Sequence, residues 1–183
     1  SMPANLLQIF LGIAILGIAA VMVLAKNSDF PKAGKMSALA SALNINGIYH
    51  DPALGKDVEW SVHRTPLGFV LFLGIGFVAG MFGLGAGWAN VPVLNLVMGV
   101  PLKAAAASSG FVIAVSSNSS SWIYLNNGAI LPMITIPSLL GIFMGAQVGV
   151  KLLNKTKSSH IRMIIIAVLL LSGLRALLKG FGI

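Results

Sequence analysis

Apolar residues in this chain come in long runs separated by short polar turns, the pattern of helices whose solvent is lipid. The first run, Leu6 to Ala25, stops at Lys26-Asn27-Ser28-Asp29. About 20 residues rising 1.5 Å each cross a hydrocarbon core of about 30 Å. The run is too long for a signal-peptide core and has no basic region ahead of it, so it predicts a retained transmembrane helix. A polar stretch then continues to Pro66 and holds all four acidic residues, Asp29, Asp51, Asp57 and Glu59. Within it, Met36, Leu39, Ala40 and Leu43 recur at helical spacing. They predict a short amphipathic helix, either lying in the membrane interface or serving as an ordinary loop helix. Trp60 suits an interface anchor.

The second run, Leu67 to Val100, is too long for one crossing. As one straight helix it would measure about 50 Å. Its middle reads Gly80-Met81-Phe82-Gly83-Leu84-Gly85-Ala86-Gly87, and each glycine weakens a helix by about 1 kcal/mol relative to alanine. Length and composition together predict a broken or re-entrant helix at this motif. Irregular backbone inside a membrane survives only where protein buries it or where it lines a polar cavity. The third run, Ala104 to Leu125, follows Pro101 and Lys103 and ends at Asn126-Asn127-Gly128, a strong breaker. The fourth, Ala129 to Val150, carries Gly141, Gly145 and Gly149 four apart on one face, where a neighbouring helix can approach. The fifth, Ile161 to Leu178, includes Arg175 and stops at Lys179, whose long side chains can snorkel to the interface.

Composition supports the same picture. Of 183 residues 57% are hydrophobic and 9% charged, with a mean hydropathy of +0.93. So few charges cannot build a water-soluble shell. The net charge of +8 and pI near 10.2 do not indicate nucleic acid, because the basic residues lie between or beside apolar runs. They indicate retention of short cytoplasmic loops and attraction to anionic headgroups. Lys151, Lys155, Lys157 and Arg162 mark one turn as cytoplasmic, while the turn at Asn127 has no basic residue. The side on which the 26–66 stretch lies depends on whether the second run spans once or re-enters; its five basic residues favour re-entry. Cysteine is absent, so thiol chemistry is excluded. His50, His63 and His160 match no metal spacing.

The apolar runs contain no Asp, Glu or His, which argues against a carboxylate proton relay or a cation carrier. Hydrolytic chemistry lacks a base to activate any serine in the membrane. What remains is a set of neutral hydrogen-bond donors beside a break. Broken helices aim the free N–H groups of their half-helix N-termini at anionic groups. The second half-helix is expected to begin near Gly87. The candidate binding residues are Gly83, Gly85, Gly87, Trp88 and Asn90 at the break, with Ser108, Ser109, Ser116 and Asn118 on the following helix. Such a site can hold an anion without fixed charge and so release it. The competing structural roles are ordinary ones: glycines allow close packing, and serines bond back to their own helix. The Gly-Leu-Gly-Ala-Gly run is no nucleotide fingerprint, since no βαβ unit surrounds it. No cofactor, metal or catalytic residue is expected.

The stretch Gly76 to Gly87, then Val91-Pro92-Val93-Leu94, resembles the signature of the TauE/SafE sulfite-exporter family: a glycine cluster followed by Val-Pro and an apolar pair. The small-residue run Ala104–Ala107 with Ser108-Ser109 resembles the family's following alanine-then-Thr-Ser segment. Two departures stand out. Ala86 sits where three consecutive glycines are common, and Ser108 where threonine is common. The resemblance covers Leu67 to Ile183 and implies an all-α polytopic transmembrane bundle. It divides the chain into a leading helix (1–25), a polar loop (26–66) and a four-helix repeat (67–183). It also implies a membrane transporter, or half of one, for a small anion such as sulfite or an organosulfonate, in the plasma or inner membrane. Family members carry two such repeats and this chain shows the signature once, as in a half-length protein or a piece of a longer one. A partner is expected either way, as a homo-oligomer or a companion repeat-bearing half. A non-transport scaffold subunit and a passive anion channel are the alternative functions.

Overall fold

The computed structural model describes residues 4–25, 37–82 and 87–181. Helix α1 (Ala4–Leu24) is followed by the short α2 (Ala38–Ala42) and a hairpin of β1 (Asn46–Asp51) and β2 (Lys56–Ser61). Then come α3 (Thr65–Phe82), α4 (Gly87–Pro92) and a π-helical continuation of α4 (Val93–Val97). Three long helices complete the chain: α5 (Leu102–Asn126), α6 (Pro132–Lys155) and α7 (Ser158–Gly180). Helices α1, α6 and α7 are long and apolar enough to cross a membrane, and α3 is a shorter apolar helix. The fold is a polytopic helical bundle, as the hydropathy pattern predicts.

The best-packed part is the antiparallel pair of α1 and α7. Leu11, Ile15, Ala19 and Met22 of α1 are buried against Ile161 and Leu169 of α7. Small residues bring the two backbones together. A Cβ at Gly12 would stand 2.7 Å from Leu177, one at Gly173 would stand 2.8 Å from Leu16, and one at Gly180 would stand 2.6 Å from Ile9. The last turn of α1 leaves carbonyls unpaired, as every helix end does. The Arg162 guanidinium, itself buried, donates to the carbonyls of Met22 and Ala25. Its positive charge also suits the negative end of the α1 dipole.

The segment from α3 to α5 is held by close contacts near Met98 and Gly99. Gly68 in the first turns of α3 lies against Met98, just beyond the π-helical turn, and the His63 amide donates to the Met98 carbonyl at 2.9 Å. The start of α3 and the end of the π-helical turn therefore lie side by side. Pro92 has no N–H to give and so breaks the regular ladder; the wider π-helical turn follows it directly. Gly99 then takes φ +75, and a Cβ there would stand 2.7 Å from the His63 ring. Both the turn and the contact require glycine.

The 26–66 stretch is more structured than a loop with a helix. Helix α2 is capped by Ser37, whose Oγ accepts from the Ala40 amide at 3.2 Å and bonds to Thr65 Oγ1 at 2.7 Å. Ala40 is buried while Leu39 and Leu43 are exposed. Met36 lies outside the described residues. The hairpin joins two six-residue strands through a four-residue turn, Pro52-Ala53-Leu54-Gly55. Alternation shows in burial: Gly47, Tyr49 and Asp51 are covered, while Asn46, Ile48 and His50 face outward. Trp60 joins Ala40, Val62, Leu94, Met98, Val100 and Ala105 in a second apolar cluster. The hairpin thus covers the end of the bundle where α5 begins. In the first cluster Leu102 of α5 shares space with Met22 and Ile161. The hairpin, the start of α5, the end of α1 and the start of α7 therefore lie at one end.

Helix α6 meets the first cluster through Leu153. None of its residues is buried. A Cβ at Gly141, Gly145 or Gly149 would meet nothing within 4 Å.

Candidate anion-binding site

Gly83 and Gly85 fall outside the described residues. Gly87 opens α4, and a Cβ on it would stand 3.0 Å from Ile113 Cδ1 of α5. From there α4 and α5 run antiparallel to the turn at Gly99. A step of three residues along α4, from Gly87 to Asn90, is matched by a similar step back along α5 from Ile113 to Ser109. At 100° per residue Gly87 and Asn90 share one side of α4, the side that meets α5. Ser109 is 3% exposed and Ser108 half-buried. Asn90 and Ser109 therefore belong to one level of the α4–α5 contact, while Ser108, about 140° round α5 from Ile113, faces away from it.

Asn90 is the notable member. It is 0% exposed, and neither Nδ2 nor Oδ1 has a hydrogen-bond partner among the described residues. Buried polar groups are almost always paired, and an orphan costs about 1–3 kcal/mol. The indole N–H of Trp88 is also buried without a partner. Trp88 points elsewhere, packing against the α1–α7 cluster, as a residue 200° round the helix from Asn90 must. Asn95, five residues beyond Asn90, is 1% exposed and donates from Nδ2 to the Val100 carbonyl at 2.9 Å. It holds the turn into α5 and was not singled out from sequence. Its signal is an amide inside an apolar run.

Ser116 and Asn118 stand differently. Ser116 follows Ser109 by seven residues, on the same face of α5 but beyond Ile113. It is exposed and donates to the Ile113 carbonyl at 3.0 Å. Asn118 is turned away, exposed, and donates to the Ala114 carbonyl at 3.2 Å. In this chain both satisfy their donors on their own helix.

An open cleft of about 360 Å³ lies between α1, α3 and α4, lined by residues such as Gly17, Ile18, Leu71, Ile75, Pro92 and Leu96. Its wall is apolar throughout, so it offers an anion nothing.

One ionic feature lies at the hairpin end. Lys103, in the first turn of α5, donates from Nζ to Asp51 Oδ1 at 2.7 Å, and the two side chains are 6% and 1% exposed. Nearby, burial and the Asp51 charge push the Tyr49 phenol up to about 12. No group of three or more metal-ligating side chains comes together among the described residues.

The fold and these features define a polytopic helical membrane protein with an uncharged polar contact beside an interrupted apolar helix. The family described as "Sulfite exporter TauE/SafE" matches residues 1–176, and the chain belongs to that family. The match begins ahead of the glycine motif and takes in α1 and the hairpin. Among curated relatives, the "Probable membrane transporter protein YunE" of Bacillus subtilis is 28% identical over 178 residues, covering 97% of this chain and 62% of the relative. The "Probable membrane transporter protein MJ0441" of Methanocaldococcus jannaschii is 28% identical over 113 residues, 56% of this chain and 42% of its own. The chain thus spans about three-fifths or less of the length of these relatives. No solved structure matches it significantly.

Proposed function

We propose that this chain forms the anion pathway, or half of it, of a membrane transporter for a small oxyanion such as sulfite or an organosulfonate. The observation that carries the reading is Asn90: a fully buried amide with both polar atoms unpaired among the described residues, at the level of Ser109, one turn from the glycine-rich break. Neutral donors bind an oxyanion without trapping it. The start of α3 lying beside the end of the π-helical turn supports a re-entrant pair with its break in the membrane. The hairpin end carries Lys56, Arg64, Lys103, Lys151, Lys155, Lys157 and Arg162, which supports a cytoplasmic hairpin.

The lack of any buried residue in α6, with the Gly141–Gly145–Gly149 stripe open, supports a second helical unit against it. That unit is a second copy or a companion repeat. The test is uptake of labelled sulfite into proteoliposomes holding the chain alone or with a co-expressed companion half. Saturable flux that depends on a counter-gradient supports a carrier, and flux indifferent to any gradient but its own means a channel. No flux in either preparation overturns the reading.

A further inference from the structure

Every acidic residue of the chain lies between Asp29 and Glu59, and one of them is carried inside. Strand β1 alternates, so Tyr49 and Asp51 turn toward the bundle and Asp51 becomes 0% exposed. Its Oδ1 accepts from Lys103 Nζ at 2.7 Å and from the Ala53 amide at 3.0 Å. Its Oδ2 is buried with no partner. The hydrogen bond between His50 Nδ1 and Asp57 Oδ1, at 2.8 Å, is by contrast exposed.

Two physical points make this pair unusual. A buried ion pair stabilises a fold poorly unless its remaining lone pairs are satisfied, because desolvation offsets the attraction; here one carboxylate oxygen is left over. A cation is also disfavoured in the first turn of a helix, where the dipole is positive. Lys103 in that turn therefore sharpens a positive field that only an anion relieves. The anion now there comes from a two-stranded hairpin, an element of marginal stability by itself. Six residues on, about 9 Å along α5, stands Ser109.

We propose that Lys103 is a binding site for a small dianionic oxyanion at the mouth of the α4–α5 contact, and that Asp51 is its tethered occupant. An incoming oxyanion takes the ammonium from the carboxylate, and the hairpin tip lifts. The route onward to Asn90 rests on the transport reading, but binding at Lys103 does not.

The test uses the full chain in detergent and equilibrium dialysis of radiolabelled sulfate at fixed ionic strength. A tethered competitor lowers apparent affinity by the fraction of time it occupies the site. Asp51→Asn is therefore expected to bind sulfate about tenfold more tightly than the parent. Lys103→Gln loses that binding, and so does the double variant, whose two amides can still bond each other and hold the hairpin. A gain of affinity cannot arise from misfolding, which weakens every variant. Sulfate binding that is unchanged or weaker in Asp51→Asn overturns the proposal, as does tight binding in the double variant. If sulfate binds as expected but sulfite flux is absent, the transport reading fails and this site stands.

Discussion

Replacing Asn90 with leucine should make the protein more stable and less useful. Asparagine and leucine share a branched skeleton of the same heavy-atom count, so the swap changes polarity far more than shape. Both polar atoms of Asn90 are buried and, among the described residues, unpaired, and each such orphan costs about 1–3 kcal/mol. Leucine's extra bulk takes back up to about 1.5 kcal/mol. The expected net gain for Asn90→Leu, two orphans less that bulk term, is about 0.5–4.5 kcal/mol, read from equilibrium unfolding in mixed detergent micelles. A site that keeps donors unpaired for a ligand gives up stability to do so. Sulfite uptake by proteoliposomes should therefore fall at least about tenfold, the loss of one hydrogen bond to a charged group. Loss of stability together with unchanged uptake would refute the reasoning. It would mean that Asn90 is an ordinary structural amide.

The glycines divide into two classes that alanine should separate. Gly12→Ala puts a Cβ 2.7 Å from Leu177 and 3.0 Å from the Gly173 carbonyl, so it should cost about 1–3 kcal/mol of unfolding free energy. Gly145→Ala meets nothing within the chain; it should leave unfolding unchanged or slightly improved, yet weaken self-association or pairing with a companion half, read by crosslinking. Tyr49 should titrate late. Its phenol is pushed up to about 12 by burial and then by Asp51, against 10 when unfolded, so its stabilising contribution is complete below pH 10 and lost as pH rises through about 12. The chain has two tyrosines; in a Tyr124→Phe background the phenolate absorbance should rise near pH 12, and a rise near pH 10 would mean that the hairpin does not cover Tyr49.

The long helices are legible because lipid imposes a single rule of length and polarity. The apolar runs from Leu6, Ala104, Ala129 and Ile161 become α1, α5, α6 and α7. Their ends differ from the runs for a physical reason. Helix α6 continues through Lys151 to Lys155, since lysine is a good helix former and the helix need not stop where the hydrocarbon does. The excess length of the second run shows in its division into α3 and α4, while the start expected for the second half-helix adjoins residues outside those described. The π-helical turn after Pro92 is a consequence of proline chemistry that apolar periodicity does not record. The hairpin was hidden because it is stabilised by the bundle beneath it, through Trp60 and Val62, rather than by its own strands.

The candidate site is legible to a similar degree, and for a similar reason. Asn90 could be singled out because it follows the expected break by one turn, where backbone N–H groups are free. Its lack of a partner could not, because that depends on how α5 lies against it. Asp51 and Lys103 are 52 residues apart, so their contact exists only through the fold. Yet Lys103 already violates a local rule, a cation at the positive end of a helix. Sequences that fold well are locally consistent, and the exceptions concentrate where function sets the residue. Asn90 and Lys103 are two such exceptions. Both are buried, and both flank the start of the helix that carries Ser108 and Ser109. One holds donors with nothing to hold, and the other holds an anion supplied by its own chain. An anion path that binds loosely in the middle and guards its mouth with a tethered competitor needs both kinds of exception.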